Sequence, residues 1–351
     1  MHTSDGLSER KQAARRVLVD FVDVRPGSRI WIFTDPGRQW FAEHLVGVAL
    51  ELGCSASLTC LHGDPCPAGD LSTGNLSTGD LTTGDVSTGD LDAIRQMVRS
   101  LPPEDIVVSS FSDYSMGRIP FFTVFPNFRP PEGFSGKSAV IRAHYPDEAL
   151  VQHLLTSLES VDAAANRYLA LGEGGRVRVT SEGGTRLECE IGRPILLPYK
   201  VGAGSRHAFL PPAEVAFGIT AGTAEGLLVV DITAGDIVID GKTVERLGLV
   251  DKPVHVELKG GRVSSLTGGR TAETLRHWLD RLGPESRLAV ELGFGLSAGI
   301  PTGHGSADEC VQGTFHVGFG DDSFFNKVNK APVHLDLICR GPQITLLPAG
   351  V

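Results

Sequence analysis

Residues 313–319 read GTFHVGF and residues 333–338 read VHLDLI. Successive side chains of a strand point to opposite faces. Phe315, Val317 and Phe319 therefore share one face while Thr314, His316 and Gly318 share the other. In the second stretch Val333, Leu335 and Leu337 oppose His334 and Asp336. The same alternation recurs upstream. Residues 288–293 (LAVELG) set Leu288, Val290 and Leu292 against Ala289, Glu291 and Gly293, and residues 212–217 (PAEVAF) set Ala213, Val215 and Phe217 against Pro212, Glu214 and Ala216. Four half-apolar strands of this kind predict a sheet with one face in a core.

Working outward, the chain from about Arg176 is a series of short strands: VRVTS, LECEI, EVAFGI, LLVVDI, IVID, VHVEL, RVSSL, RLAVELGFG, GTFHVGF, VHLDLI and QITLL. Glycine-rich turns such as Glu182-Gly183-Gly184 and Lys259-Gly260-Gly261 separate them as hairpin loops do. A single helix is expected within them, over 271–282. This pattern predicts a mainly antiparallel β domain, of α+β type, over 173–351.

The first half differs. RIWIF at 29–33, ASLTC within 55–61, 106–110 and 139–143 read as strands, and 40–52, 91–101 and a long segment from about 146 to 171 carry apolar residues at helical spacing. Strands alternating with helices predict a parallel sheet with helices on its faces, hence an α/β domain over 1–172. No GxGxxG follows the first strand, so no nucleotide site is expected. Within this half, 69–91 reads GDLST GNLST GDLTT GDVST GDL. The unit resembles that of pentapeptide-repeat β-helices, but four units make about one turn, and it is stacked turns that bury such a core. A low-complexity loop insert is the expectation.

Composition narrows the function classes. The chain has 351 residues, 41% of them hydrophobic, and 32 Lys plus Arg against 42 Asp plus Glu give a formal charge of -10. Such a balance repels nucleic-acid backbones and anionic lipid. The N-terminal segment lacks the apolar core of a signal peptide and no stretch reaches membrane-span length. Six cysteines form no CxxC pair and Cys54 and Cys60 read as small buried apolar residues. A cytoplasmic protein acting on a small molecule or short peptide, without nucleic-acid or membrane partners, is expected.

The polar faces of the four strands carry the chemistry. A wet outer face would carry Lys, Arg, Thr or Ser, whereas Gly, Ala and Pro stand beside these carboxylates and imidazoles and leave room around them. Adding Glu309 from ADECVQG gives Glu214, Glu291, Glu309 and Asp336 with His316 and His334. Clustered without counter-ions, four carboxylates would repel one another and take up protons. Two divalent cations balance their charge, and the two imidazoles supply neutral nitrogen ligands. A site of that kind lowers the pKa of water and polarises a carbonyl, which is hydrolytic equipment. Glu291 or Glu309 is the expected proton acceptor.

On LPPAEVAFGITAGTAEGLLVVD (210–231), ELGFGLSAGI (291–300), ADECVQGTFHVGFGDD (307–322) and APVHLDLI (331–338), the chain resembles the M29 metallo-aminopeptidases. The resemblance implies a ligand set of Glu214, Glu291, Glu309, His316, His334 and Asp336, two ions of zinc, manganese or cobalt, and a homodimer. The family's tyrosine after the first metal-binding histidine is missing, since GFGDDSFF offers only Ser323, Phe324 and Phe325. In length the chain is closer to a relative, the 2,5-dihydroxypyridine 5,6-dioxygenase, which holds one iron through two His and one Asp and has His at the position of Glu291. Three readings stay open: an aminopeptidase-like metal hydrolase of a small amide or peptide bond, a mononuclear non-haem Fe(II) ring-cleaving dioxygenase using His316, His334 and Asp336, and a non-catalytic family member.

Overall fold

A computed structural model describes residues 4–62, 83–87, 91–112, 134–142, 145–202, 204–239 and 242–348. In chain order the first elements are α1 (Ser4–Arg16), a π-helical turn at Val17–Phe21, β1 (Arg29–Thr34), α2 (Gln39–Glu51), β2 (Ser55–His62), β3 (Thr83–Ser87), α3 (Leu91–Ser100), β4 (Ile106–Ser110) and β5 (Lys137–Ile141). They are followed by α4 (Asp147–Leu154), α5 (Leu158–Leu169), β6 (Arg176–Thr180), β7 (Arg186–Leu196), β8 (His207–Leu210), β9 (Glu214–Ile219), β10 (Glu225–Val230), β11 (Thr233–Ile239) and β12 (Lys242–Leu249). The last are β13 (Val254–Lys259), β14 (Arg262–Thr267), α6 (Arg270–Leu282), β15 (Ala289–Gly295), α7 (Gly305–Asp308), β16 (Thr314–Gly320), β17 (His334–Arg340) and β18 (Gln343–Leu347). Among the described residues no helix is long and apolar enough to cross a membrane.

The chain divides into two compact units, residues 1–144 with 198–211, and residues 145–197 with 212–351. The first holds a six-stranded sheet in the order β3-β2-β1-β4-β5-β8, with every pair parallel. The expected α/β architecture is found. Phe33, Val107 and Phe111 of the sheet region pack with Val98 of α3 and with Phe134, the burial that holds a helix to a parallel sheet.

Part of the glycine-rich repeat is not a loop. Thr83–Ser87 forms β3 and pairs in parallel with Leu58–His62 of β2. The backbone can join a sheet edge whatever its side chains, and composition alone does not report that. The remainder of the repeat before Leu91 lies outside the described residues.

The second unit holds a 12-stranded sheet with the core order β12-β11-β17-β16-β15-β9-β7-β10-β13-β14, and β6 and β18 off that path. Its pairings are antiparallel, as the sequence predicts. The turn between β13 and β14 is Gly260-Gly261, with φ of +56° and +75°. Positive φ at both central residues is what a tight hairpin turn demands and what glycine permits. Tyr168 of α5 stacks on Phe294 of β15 at 4.4 Å between centroids, and Phe217, Phe315 and Phe319 are fully buried. These rings occupy the apolar face expected for β9, β15 and β16, and leave the other face to the polar groups.

The division differs from the expected boundary at 172/173. α4 and α5 fall in the β-rich unit, where α5 is held by the Tyr168 stack. Residues 198–211 return to the first unit because β8 pairs in parallel with β5. The long helix expected over 146–171 is two helices. Ser157 ends the run by capping α5, its Oγ accepting the Ser160 N–H at 3.1 Å.

Candidate metal centre

β17, β16, β15 and β9 are consecutive in the sheet, so their polar faces form one surface. Glu291 is opposite Gly218 on one side and Gly318 on the other, and Gly318 is also opposite Asp336. Gly293 is opposite His316 and Ala216. Directly opposed residues point to the same side, which brings the ligand-type residues of four strands together. A β-bulge between Ala289 and Glu291 breaks the simple alternation read from LAVELG, and bulges re-aim the side chains that follow them. Glu291, Gly293 and Gly295 keep the polar face.

Two triads result, Glu214 with Glu291 and His316, and Glu291 with His334 and Asp336, the ligand atoms of each lying within 4.8 Å of one another. His316 Nε2 lies 3.0 Å from Glu214 Oε2 and 3.6 Å from Glu291 Oε1. His334 Nε2 lies 2.9 Å from Glu291 Oε2 and 3.2 Å from Asp336 Oδ1. Glu291 thus gives one oxygen to each histidine. The two imidazoles belong to different triads, so His316, His334 and Asp336 do not make one compact set.

Five of the six expected residues meet here. Glu309 is buried just beyond α7 and belongs to neither triad. A Cβ at Gly295 would strike the backbone of Cys310 and Val311, so the segment following Glu309 lies against β15 beside the register partner of Glu214.

The electrostatics follow from burial. Desolvation opposes a charged His316, but the charge and hydrogen bond of Glu214, with Glu291 and Asp336, outweigh it and raise its pKa well above the ordinary value. His334 is raised likewise against desolvation, by Asp336 and Glu291. Desolvation pushes the Glu291 carboxyl up, yet hydrogen bonds from His316 and His334 bring it below its usual value. The cluster holds positive charge strongly, as protons or as cations.

Two observations test whether metal fits. The donor set of two imidazoles and three carboxylates suits divalent ions such as zinc. The floor is also cleared for converging donors. A Cβ at Gly318 would stand 2.9 Å from both His334 Nε2 and Asp336 Oδ1, and one at Gly293 would run into the His316 ring and come 2.7 Å from Glu214 Oε2. Behind His334, Nδ1 lies 2.8 Å from the Asp321 carbonyl oxygen. That oxygen can only accept, so Nδ1 carries the proton and Nε2 faces the carboxylates, the usual support of a metal-ligating imidazole. The residues fit a metal centre. The small neighbours were readable in the sequence, but the Asp321 carbonyl, a backbone group, left no signal there.

Two further histidines, His255 and His207, lie outside both triads. His255 and Glu257 lie on the exposed face of β13. His207 is in β8, with Nδ1 2.8 Å from Ser138 Oγ. Cys54 and Cys60 are buried, as expected.

The profile of the family described as 2,5-dihydroxypyridine 5,6-dioxygenase (NicX) matches residues 135–347. No curated protein sequence matches the chain. Among solved structures, 2,5-dihydroxypyridine dioxygenase from Pseudomonas putida KT2440 is similar over 97% of this chain and 94% of its own, with 17% identity and a TM-score of 0.64. Wild-type AmpT from Thermus thermophilus is similar over 97% and 95%, with 14% identity and a TM-score of 0.55. At these identities the likeness speaks for the fold alone. It reaches both families that the motifs resemble.

Proposed function

The chain belongs to the 2,5-dihydroxypyridine 5,6-dioxygenase family, whose profile spans well over half of it, and within that family we propose that this chain is a metal-dependent enzyme that hydrolyses a small amide or peptide bond. The observation that carries this reading is Glu291, whose two oxygens face two histidines in two separate triads. Glu214, His316 and Glu291 would hold one ion, and Glu291, His334 and Asp336 a second. Divalent ions held there lower the pKa of water and polarise a carbonyl. Glu291 is committed through both oxygens, which leaves Glu309 as the carboxylate that takes a proton and returns it to the leaving amine. Phe324 and Phe325 offer no hydroxyl to a developing oxyanion, a donor worth about 2.7 to 4 kcal/mol in other enzymes. Turnover of plain amino-acid amides is therefore slow, and a dedicated substrate supplies its own donor or chelating group. The partners are that small molecule or short peptide and a second copy of the chain.

A second reading, a non-haem Fe(II) ring-cleaving dioxygenase, is favoured by the family itself. Glu291, His334 and Asp336 would then be the iron ligands, one imidazole with two carboxylates, and Glu214 and His316 would stand beside them.

The test is metal analysis of protein purified without added metal, with assays in air and under nitrogen. Two equivalents of zinc, manganese or cobalt and oxygen-independent amide cleavage are expected. One equivalent of iron with oxygen uptake on a dihydroxylated ring would overturn hydrolysis in favour of the second reading. Metal-free protein without turnover would overturn both.

A further inference from the structure

We propose that the loop joining the two histidine strands is the specificity element of this site, and that Phe325 forms an aromatic wall for a flat apolar group on the substrate. The inference rests on the metal-centre reading above. Gly218 shares the face of Glu291, being its register partner on β9. A Cβ at Gly218 would stand 2.8 Å from Phe325 Cβ and 3.0 Å from Asn326 Nδ2. The loop therefore folds back over the polar face at Gly218, and Phe325 stands over the strand next to that of Glu291. In the strand order β9, which carries Gly218, lies on one side of β15, and β17, which carries His334, lies on the other.

The loop is built to hold this position. Asp322 N–H donates to the Asn329 carbonyl at 3.2 Å, Phe325 N–H donates to the Asp322 carbonyl at 2.9 Å, and Asp322 Oδ1 accepts from Asn329 N–H at 3.1 Å. Asn326 Nδ2 donates to the Ile219 carbonyl at 3.0 Å and pins the arch to β9. Phe324 packs edge-on against Phe325 at 5.3 Å, and both rings are half-buried. A core phenylalanine is covered, whereas these two are part-exposed. A fixed, part-exposed ring next to an ion centre suits a substrate with an aromatic or planar apolar group adjoining its metal-seeking carbonyl.

The experiment is calorimetric titration of the zinc-loaded protein with benzohydroxamate and acetohydroxamate, two chelators that differ in the group beside the carbonyl. The wild type is expected to bind the aromatic probe about tenfold or more tightly than the small one. Phe325→Ala should erase that preference while leaving acetohydroxamate binding and zinc content unchanged, and Phe325→Leu, which keeps bulk but loses the flat face, should fall between. Circular dichroism melts confirm that each variant is folded, and Phe325→Leu decides if Phe325→Ala is not. A wild type that binds the two probes alike, or a preference that survives in the variants, overturns the aromatic wall alone. Zinc-loaded wild type that binds neither probe overturns the metal-centre reading and this one with it.

Discussion

At the scale of single residues the site depends as much on missing side chains as on present ones. Gly318 and Gly293 each lie where a methyl group would displace two donors. A Cβ at Gly318 would also stand 2.8 Å from Glu291 Cβ, and Glu291 belongs to both triads, so Gly318→Ala is expected to weaken both by at least the 10- to 100-fold that outer contacts of metal ligands typically cost. Metal content should fall well below that of the wild type in folded protein, and full retention would show that the donors can yield. Asp336→Ala should lose an ion and all hydrolysis, whereas Glu309→Gln should keep its metal and lose turnover about 100-fold or more, within the range for a general base. Assays on amino-acid amides with metal content measured alongside separate the two. Activity in Asp336→Ala would reject the metal mechanism. Five of the six ligand candidates were legible because alternation along a strand fixes which side chains share a face. Glu309, in no strand, had no such rule to place it.

At the scale of elements, strong alternation was legible and weak alternation was not. β16 and β17 declare themselves in VHLDL and TFHVGF, but the edge strand β12 (KTVERLGL) has mostly exposed side chains and no apolar face to announce it. The four-residue β8 is set by pairing with β5, a tertiary fact. α6 shows the same dependence on distant partners. Its N-cap, Gly269, has no side chain, and Asp251, 20 residues before Thr271, does the capping. Its Oδ1 accepts from Thr271 N–H at 3.1 Å and its Oδ2 from Arg270 N–H at 3.1 Å. These backbone hydrogen bonds hold the carboxyl at about 2, below the ordinary 3.8. A depressed folded-state pKa stabilises fully above the unfolded value and loses that contribution as pH falls through the folded one. Asp251→Asn should therefore melt below wild type at pH 7, and the gap should close between pH 4 and pH 2. Equal melting at pH 7 would show that the cap contributes nothing.

At the scale of the whole molecule, the two sheets carry different burdens, and each should respond to a different perturbation. The five clustered groups all lie in the second unit, so folding and ion binding are linked there. A ligand at 100 times its Kd adds about 2.7 kcal/mol to the stability of the state that binds it. The first unit contains none of these donors. It does contain β3, an edge strand whose removal strips β2 of one partner. Composition reads the repeat as a low-complexity loop insert, and the pairing of Thr83–Ser87 gives part of it a structural role that composition could not disclose. Hydrogen exchange read by mass spectrometry distinguishes the two burdens peptide by peptide. Adding a chelator should speed exchange in peptides covering β15, β16 and β17 and leave β1, β2 and β4 as they were. Deleting residues 72–88 should do the reverse, speeding exchange in β2 and its neighbours while the metal content stays at the wild-type value. If the deletion emptied the metal site, or if the chelator loosened the parallel sheet as much as the antiparallel one, the assignment of ion-linked stability to the second unit alone would fail.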